Sequence, residues 1–502
     1  MGKRKREKTG AEKPPKQTSS SHTALHNLLG NTVDVDRFLN RPLKQGQDIN
    51  CVRFKDGQRQ TLQDHKEGTC ETWQQLYKEG WSLQVHQPQR FCESLTGLCA
   101  GLENHLGCLV GSNAYLTPPG AQGLAPHHDD VEIFVVQTEG RKLWRLYAPL
   151  HGFALPSTHS NDLSEDAIGE PTMEVTMEVG DVLYLPRGTI HAATTDDESA
   201  SCHVTISTYQ QWSFATLAQH LLQTLTTGQT PEVCLPIELR HGLPIGFLHQ
   251  HGLQCDAVDI PQDVPPGASG RRFSPAFKSM GAPSAAASLA EGLRKLADAV
   301  EEKPALLSLA ADSMAVDFMA SRLPPCKGSL PELGEAPTES SVVRCRGSGL
   351  FRMMPLEAQD APDDTGEGWV KVMSCLHNEV ESHMMGGNSD GCEREDCHEA
   401  DCGHNHSAHT DTSDDGEGDA AEENESAEEQ ENDEESGDGA ADLVFPASYS
   451  FAIAQLLATA KPAGEGIPVS DIKLPAMEEK VGLAFALWSE GVIYTVPEAK
   501  PA

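Results

Sequence analysis

The residues best suited to chemistry in this chain lie in the run PHHDD at positions 126–130. Side chains alternate along a β-strand with period two, so residues separated by one position share a face. The run contains two such pairs, His127 with Asp129 and His128 with Asp130. The two pairs would lie on opposite faces, and periodicity alone does not decide which of them faces an interior.

A second histidine on a later strand would complete a metal site. His191 follows GDVLYLPRGTI, a run that predicts a strand, a Pro-Arg-Gly turn and an outgoing segment. Two imidazoles and one carboxylate suit ferrous iron and leave coordination positions open for a co-substrate and dioxygen, whereas a closed set of thiolates would suit structural zinc. A His-x-Asp pair by itself is more typical of a polar surface turn than of a metal site, so the hypothesis depends on its context.

The elements that would position these residues are predicted to be short strands. Most carry β-branched and aromatic residues or an apolar/polar alternation, and Gly and Pro turns separate them. The predicted segments are LGCLVGSNAYLTP (106–118), VEIFVVQTEG (131–140), KLWRLYAP (142–149, at hairpin distance), TMEVTMEVGDVLYLPRG (172–188) and CHVTISTY (202–209). Such a series without intervening helices favours a mainly β domain, closed or double-sheeted.

Composition divides the chain into four parts. Residues 1–22 predict a disordered basic arm, and the cluster at 3–6 is a candidate nuclear import signal. Residues 23–211 predict the β domain. Residues 212–325 predict a helical domain, with helices at 214–227 and 288–323. Residues 326–502 predict a winged-helix-like domain, interrupted by a disordered acidic insertion at about 389–442.

The charge balance limits the partners of the protein. The 502 residues carry 38 Lys or Arg and 75 Asp or Glu, for a net charge of -37. Fifteen of the acidic residues lie between 411 and 438, and the rest of the chain remains acidic without them. We therefore expect no strong nucleic-acid binding driven by phosphate contacts. The acidic stretch itself is interpreted as a solvated spacer in preference to a binding site for basic proteins.

The sequence also bears on compartment and redox state. We expect no membrane span, because no apolar run reaches the length of about 18 residues that a span needs. The basic start lacks a following apolar segment, so no secretory signal is expected. The 14 cysteines are therefore predicted to be reduced thiols. A Cys/His cluster at 392–409 is interpreted as a polar spacer in preference to a metal site, because its C-x4-C-x4-C spacing is not a standard zinc pattern.

Longer blocks resemble the MINA-type ribosomal oxygenases of the JmjC superfamily. The resemblance covers the segment 111–149 with the blocks GDVLYLPRGTIH (180–191) and HVTISTYQ (203–210), and it continues in HQPQRF (86–91), SRLPP (321–325) and ESHMM (381–385). It implies a JmjC double-stranded β-helix, a helical dimerisation domain that makes a homodimer, and a C-terminal winged helix. The family also carries a further N-terminal segment, so a peripheral strand is expected to be missing or the sequence to be incomplete.

The resemblance selects one of the two His-x-Asp pairs. The family motif reads Pro-His-Tyr-Asp-Asp, and the histidine before the tyrosine is the metal ligand. The match implies that His127, Asp129 and His191 hold Fe(2+). It leaves His128 at the position of the family tyrosine.

Other roles carry over by position. Lys142 matches the family lysine that pairs with the distal carboxylate of 2-oxoglutarate, although a lysine after Glu-Gly would otherwise be interpreted as a surface hairpin residue. The remaining matches imply co-substrate hydrogen bonds and a substrate pocket. They are Asn113 and Thr205 for the co-substrate, Tyr115 and Ser207 for the substrate pocket, and Gln87 and Gln89 near its mouth.

The implied activity is that of a protein oxygenase that uses Fe(2+), 2-oxoglutarate and O2. The resembled family hydroxylates a histidine side chain of a large-subunit ribosomal protein, and a nuclear and nucleolar location is expected. Two alternatives remain. One is a chromatin enzyme that demethylates a histone lysine by the same chemistry, and the other is a non-catalytic JmjC scaffold.

Overall fold

The computed structural model describes most of the chain outside the N-terminal arm and the acidic insertion. The described residues are 39, 41–63, 67–150, 154–227, 234–243, 247, 285–356, 361–362, 368–385, 443–460 and 465–497. The basic arm at 1–22, the Cys/His cluster at 392–409 and the whole acidic insertion at about 389–442 lie outside them. The chain forms two compact units, one of residues 1–211 with 318–502 and one of residues 212–317.

A nine-stranded antiparallel sheet forms the centre of the first unit. Its main path runs β10-β7-β11-β6-β5-β2-β3, and β8 and β9 both pair with β7. The strands are β2 (Ile49–Lys55), β3 (Gln58–Thr61), β5 (Ser82–His86), β6 (Val110–Thr117), β7 (Glu132–Tyr147), β8 (Met173–Glu178), β9 (Val182–Leu185), β10 (Ile190–Thr194) and β11 (Ser201–Thr208). Short strands β1 (Leu43–Lys44) and β4 (Glu67–Gly68) pair separately.

Strand β7 belongs to both layers of this sheet. Its first half pairs with β11 and β9, and its second half pairs with β8 and β10. The predicted hairpin between 131–140 and 142–149 is therefore wrong, because one strand continues through Glu139 and Gly140. Gly140 has φ +61°, and a β-carbon there would lie 1.8 Å from the carbonyl oxygen of Ala200. A glycine is needed at this point, but it bends a strand instead of ending one.

The interior of the sheet is apolar on both layers. One cluster packs the strands β2, β5, β6 and β11 against helices α1 (Cys70–Lys78) and α2 (Glu93–Leu106), with Trp73, Leu95 and Cys99 almost fully buried. A second cluster lies between the two halves of β7 and includes Ile133 and Trp144. A four-residue helix, α3 (Glu165–Ile168), precedes β8.

The second unit is helical. Helix α4 (Phe214–Thr227) has the predicted bounds, and α5 (Ile237–Arg240) follows. The segment predicted to be helical at 288–323 forms α6 (Ala285–Glu302) and α7 (Ala305–Ser321), because Pro304 cannot supply the backbone N–H that a continuous helix needs there. The core of this unit contains Leu221 and Leu225 of α4, Leu296 of α6, Leu306 and Ala310 of α7, and Leu235. A dimerisation role for this helical domain stays a prediction.

The described residues of the C-terminal part of the first unit form two three-stranded sheets and two α-helices. The strands are β12 (Val342–Cys345), β13 (Phe351–Pro355), β14 (Trp369–Ser374), β15 (Leu443–Pro446), β16 (Ile467–Pro468) and β17 (Ile493–Thr495), and the helices are α8 (Ser450–Leu457) and α9 (Met477–Ser489). The winged-helix assignment stays a prediction, as do the domain limits 23–211, 212–325 and 326–502.

The state of the cysteines and the character of the helices can also be described. In the described ranges, each cysteine is a free thiol. Across the same residues, the helices lack the combination of length and apolar character that a bilayer-spanning segment requires.

Candidate metal centre and co-substrate cavity

The backbone around His127 and Asp129 is extended and pairs with the start of β10. His127 and His191 exchange two hydrogen bonds, His127 N–H to His191 O at 3.2 Å and His191 N–H to His127 O at 2.9 Å. Two residues further along, the Gly188 N–H donates to the carbonyl oxygen of Asp129 at 3.0 Å. This pairing places the turn before β10 directly beside the His-x-Asp segment.

The first of the two His-x-Asp pairs meets His191. The Asp129 carboxylate has one oxygen 3.8 Å from His127 Nε2 and the other 3.8 Å from His191 Nε2. One ligand atom from each of the three residues lies within 4.8 Å of the others. His128 is buried on the other side of the segment, where its backbone exchanges hydrogen bonds with Ser160, and Asp130 is also buried.

The hydrogen bonds of both imidazoles favour metal binding through Nε2. The Nδ1–H of His127 donates to the carbonyl oxygen of Ala125 at 2.8 Å, and that of His191 donates to the carbonyl oxygen of Thr189 at 3.0 Å. A proton fixed on Nδ1 leaves the lone pair of Nε2 free for a cation. Burial and the neighbouring His127 lower the pKa of His191 to about 4, so this imidazole is neutral near pH 7.

The donor set fits ferrous iron. Two imidazole nitrogens and one carboxylate oxygen converge from one side, and no cysteine sulfur joins this group among the described residues. A facial set of this kind leaves positions free for a co-substrate and O2. The chemistry of the three side chains therefore agrees with the metal that the sequence predicted.

Lys142 lies in the cavity that leads to these three residues. The cavity is lined by all three of them and by Lys142. Lys142 is 5 % exposed, and its Nζ donates to Thr117 Oγ1 at 2.9 Å. Burial lowers the pKa of Lys142 to about 7. No ion pair to Lys142 occurs among the residues with described positions, so a buried cation without its own carboxylate faces the cavity and favours an anionic ligand.

The other predicted site residues divide into two groups. Thr205 and Tyr115 line the cavity with Lys142. Asn113 lies beside Gln87, whose backbone N–H donates to Asn113 Oδ1 at 3.3 Å, and Gln87 Nε2 donates to Met384 O at 2.8 Å. Ser207 belongs to this second group, since a β-carbon on Gly111 would lie 3.0 Å from Ser207 Oγ and 2.9 Å from Met384 Sδ.

Gln89 lies outside both groups. The side chain is fully buried, its Oε1 accepts from Ser112 Oγ at 2.6 Å, and its Nε2 lies 3.1 Å from His383 Nδ1. His383 Nε2 in turn lies 2.9 Å from Glu103 Oε1. The structure therefore places Gln89 in a buried hydrogen-bond network and not at the mouth of a pocket, because both ends of its amide already have partners.

Four residues with polar side-chain atoms line the cavity without having been predicted: Ser82, Thr117, Trp144 and His203. Trp144 belongs to the apolar core around β7, and no sequence signal distinguishes it from other core residues. Thr117 is distinguished only by its hydrogen bond with Lys142, which the sequence does not reveal. His203 carried a usable signal, since it lies two positions before Thr205 on an alternating strand and therefore shares its face.

Comparisons with known proteins agree with this arrangement. The family profile described as JmjC domain matches residues 84–217, which include the three metal-binding candidates. Ribosomal oxygenase 2 of Rattus norvegicus is 31 % identical over 484 residues, which cover 95 % of this chain and 85 % of that protein. The Bos taurus protein of the same name is 33 % identical over 458 residues, covering 90 % and 79 %.

Other relatives match a shorter part of the chain. The Drosophila grimshawi protein named bifunctional lysine-specific demethylase and histidyl-hydroxylase NO66 is 40 % identical over 206 residues, covering 41 % of this chain and 28 % of that protein. Among solved structures, Escherichia coli ycfD matches at 18 % identity and a TM-score of 0.36, covering 68 % of this chain and 77 % of that one.

The matches to the two ribosomal oxygenase 2 proteins extend over nearly the whole chain, and the JmjC match covers strands β6 to β11 with the candidate metal centre. The chain thus belongs to the ribosomal oxygenase 2 family of JmjC-domain oxygenases.

Proposed function

We propose that this protein hydroxylates a histidine side chain of a large-subunit ribosomal protein. Family membership makes it a 2-oxoglutarate-dependent oxygenase, and the finer statement concerns its substrate. The observation that supports catalysis, in preference to a scaffold role, is the meeting of His127, Asp129 and His191 in one cavity with the buried cation of Lys142. A scaffold would gain nothing from a buried lysine without a carboxylate partner.

In this proposal His127, Asp129 and His191 would hold Fe(2+). When bound, the metal with 2-oxoglutarate and O2 supplies oxidative chemistry strong enough to hydroxylate an unactivated C–H bond. Lys142 would bind the distal carboxylate of the co-substrate, and Asn113 and Thr205 would donate or accept further hydrogen bonds. Because Lys142 is almost fully buried, its surroundings have a low dielectric, which strengthens the contact between the ammonium and the carboxylate.

Tyr115 and Ser207 would contact the substrate, with Gln87 nearby. Both Tyr115 and Ser207 carry hydroxyl groups that can donate to or accept from an imidazole ring. The overall acidity of the chain suits a basic ribosomal protein as partner through charge complementarity. The structure gives Gln89 no place in this role, since its amide is committed to Ser112 and His383.

The rest of the proposal concerns the assembly and its location. We infer that the helical domain at 212–325 makes a homodimer and that residues 326–502 form a winged-helix domain. The basic cluster at 3–6 would direct import into the nucleus, and ribosomal substrates suit a nucleolar location.

Histone lysine demethylation is a second candidate. The name of the relatives called NO66, which are 35–40 % identical over 41–48 % of this chain, includes a lysine-specific demethylase. The two activities leave different products. Hydroxylation adds one oxygen atom to a histidine, whereas demethylation of a methyl-lysine removes a methyl group and releases formaldehyde.

One experiment tests both candidates. The full chain is incubated with iron, 2-oxoglutarate and either total large-subunit ribosomal proteins or histone peptides that carry methyl-lysine, and products are identified by mass spectrometry. We expect a ribosomal histidine that gains one oxygen atom, no formaldehyde from the peptides, and no product with His191→Ala. Demethylated peptide without ribosomal hydroxylation would favour the second candidate. Turnover unaffected by His191→Ala would contradict the metal assignment.

A further inference from the structure

His203 is a buried histidine of the co-substrate cavity to which the proposed function gives no role. It is 3 % exposed and lies on β11, two residues before Thr205. Both residues line the cavity, as expected for positions on one face of a strand. The question is whether this imidazole fills space or binds a ligand.

The ring of His203 is held between two aromatic side chains. It stacks on Tyr115 with the ring centroids 4.8 Å apart and an interplanar angle of 6°, and it meets the Trp144 ring edge-on at 5.3 Å. A β-bulge opposite the Cys202–His203 step lies where β7 turns towards the second layer. Bulges of this kind re-aim side chains next to binding sites. The ring is therefore fixed before any ligand arrives.

Three polar atoms of this cavity lack a protein partner among the described residues. Among the described residues, no hydrogen bond is available to His203 Nδ1, Trp144 Nε1 or Ser82 Oγ, although all three side chains line the cavity. Lys142 uses one of its three donors on Thr117. A buried polar atom without a partner costs free energy. Three such atoms around one cavity therefore indicate that a polar ligand supplies the missing hydrogen bonds.

His203 is also close enough to Lys142 to respond to its charge. Burial, with the positive charge of Lys142 as the next cause, lowers the pKa of His203 well below its usual value. The ring is thus neutral near pH 7 and offers one N–H donor. A neutral donor beside a lysine can share an anion with it without adding charge repulsion.

We propose that His203 is a second positioning residue for the distal carboxylate of the co-substrate, donating a ring N–H to it beside Lys142. This inference rests on the proposed function, because it assumes that the cavity takes a 2-oxo dicarboxylate. It assigns the Tyr115 ring a double role, as a wall of the substrate pocket and as the platform that orients His203. The alternative is that His203 only packs in the core. A phenylalanine at this position would then pack at least as well.

Binding measurements without turnover distinguish a His203 that binds the co-substrate from a His203 that only packs. The protein is loaded with Zn²⁺ in place of iron, and its affinities for 2-oxoglutarate and 2-oxopentanoate are measured by calorimetry. The second ligand has the same chain length but lacks the distal carboxylate. His203→Phe keeps a flat ring for Tyr115 and removes the donor. We expect it to weaken 2-oxoglutarate binding about tenfold, as for loss of one hydrogen bond to a charged group, and to change 2-oxopentanoate binding less than about twofold.

A second pair of variants keeps the test decisive should His203→Phe not fold. His203→Gln and His203→Met have similar shapes, and only the glutamine carries an N–H donor. We expect the glutamine variant to bind 2-oxoglutarate more tightly than the methionine variant, with equal affinities for 2-oxopentanoate. Equal losses on both ligands, or no loss on either, would overturn the inference. A wild-type protein without preference for 2-oxoglutarate would overturn the proposed function as well.

Discussion

At the scale of single residues, two adjacent aspartates illustrate how a strand separates equivalent sequence positions. Asp129 lies between the two imidazoles, whereas Asp130 is buried on the other side of the same segment. The choice follows from the backbone pairing of His127 with His191, which involves residues 64 positions apart in the chain. Periodicity predicted that only one pair would face the interior, but the identity of that pair depends on this long-range contact.

The first prediction concerns these two carboxylates. Asp129→Ala removes a charged ligand of the candidate metal centre, and we expect Zn²⁺ affinity to fall by more than about tenfold and hydroxylation to be lost. Asp130→Ala should weaken either property much less. Competition with a chromophoric chelator measures the affinity. If Asp130→Ala were the more damaging variant, the assignment of the two faces would be reversed.

The second prediction concerns Lys142 and pH. With a pKa of about 7 in the free protein, Lys142 loses its proton as the pH rises above 7. A bound carboxylate favours the charged form and raises this pKa. Binding must therefore take up a proton above pH 7, and we expect the affinity for 2-oxoglutarate to fall by up to about tenfold per pH unit there.

Calorimetry of the Zn²⁺-loaded protein across this range measures both the affinity and the proton uptake. Lys142→Arg is the matched control, since a guanidinium stays charged and should remove the pH dependence even if it binds more weakly. An affinity that does not change with pH in the wild type would show that the free ammonium keeps its proton.

At the scale of elements, β7 explains why the site was only partly predictable. Ile133, Val135, Trp144 and Leu146 share one apolar cluster, although the first two have odd numbers and the last two even numbers. The alternation of faces thus changes phase between Val135 and Lys142, at the bulge and Gly140. Composition predicted two strands here. Only the pairing with β11 shows that the two segments form one continuous strand and that Lys142 points inward.

Other elements were predicted well because local signals suffice for them. Strands β8, β9 and β11 and helix α4 have strong alternation or helical periodicity, and they lie where expected. Helices α1 and α2 were not predicted, and neither were the strands before β6. Helix α2 packs its small and apolar residues against the sheet, so its stability comes from tertiary contacts that short-range patterns do not contain.

The third prediction tests the bend of β7. In Gly140→Ala the new β-carbon would overlap the carbonyl oxygen of Ala200, in a backbone conformation that already disfavours side chains. We expect a loss of at least about 2 kcal/mol in the free energy of unfolding, and weaker 2-oxoglutarate binding because Lys142 follows two residues later.

Gly101→Ala provides the control. Gly101 is exposed in helix α2 with open space around its α-carbon, so alanine should stabilise the protein by about 0.5–1 kcal/mol. Denaturant unfolding measures both variants. Equal effects of the two substitutions would mean that the bend does not require a glycine.

At the scale of the whole molecule, a buried network joins the β-rich region to the C-terminal region within the first unit. The Glu103 carboxylate accepts the backbone N–H groups of Val110 at 3.2 Å and Leu323 at 2.8 Å, and one of its oxygens lies 2.9 Å from His383 Nε2. Glu103 and Leu323 are 220 positions apart, and Glu103 and His383 are 280. A residue adjacent to this network, Met384, contacts Gln87.

The fourth prediction follows from the burial of this pair. The side chains of Glu103 and His383 are both 0 % exposed, so loss of either leaves a buried polar group without its partner. We expect Glu103→Gln and His383→Phe each to lower the free energy of unfolding by about 2–4 kcal/mol. The double variant should lose less than the sum, because the two side chains lose the same contact.

An exposed ion pair supplies the comparison. Arg145 and Glu174 are 37 % and 52 % exposed. Two single variants and the double variant at this pair should give a coupling energy below about 1 kcal/mol.

The network also lies next to the substrate side of the site. Since Met384 contacts Gln87 and flanks Gly111 beside Ser207, loosening the network should raise the KM for the protein substrate more than that for 2-oxoglutarate. Additive losses for Glu103 and His383, with both KM values unchanged, would show that the C-terminal region is held by other contacts and does not shape the substrate side of the site.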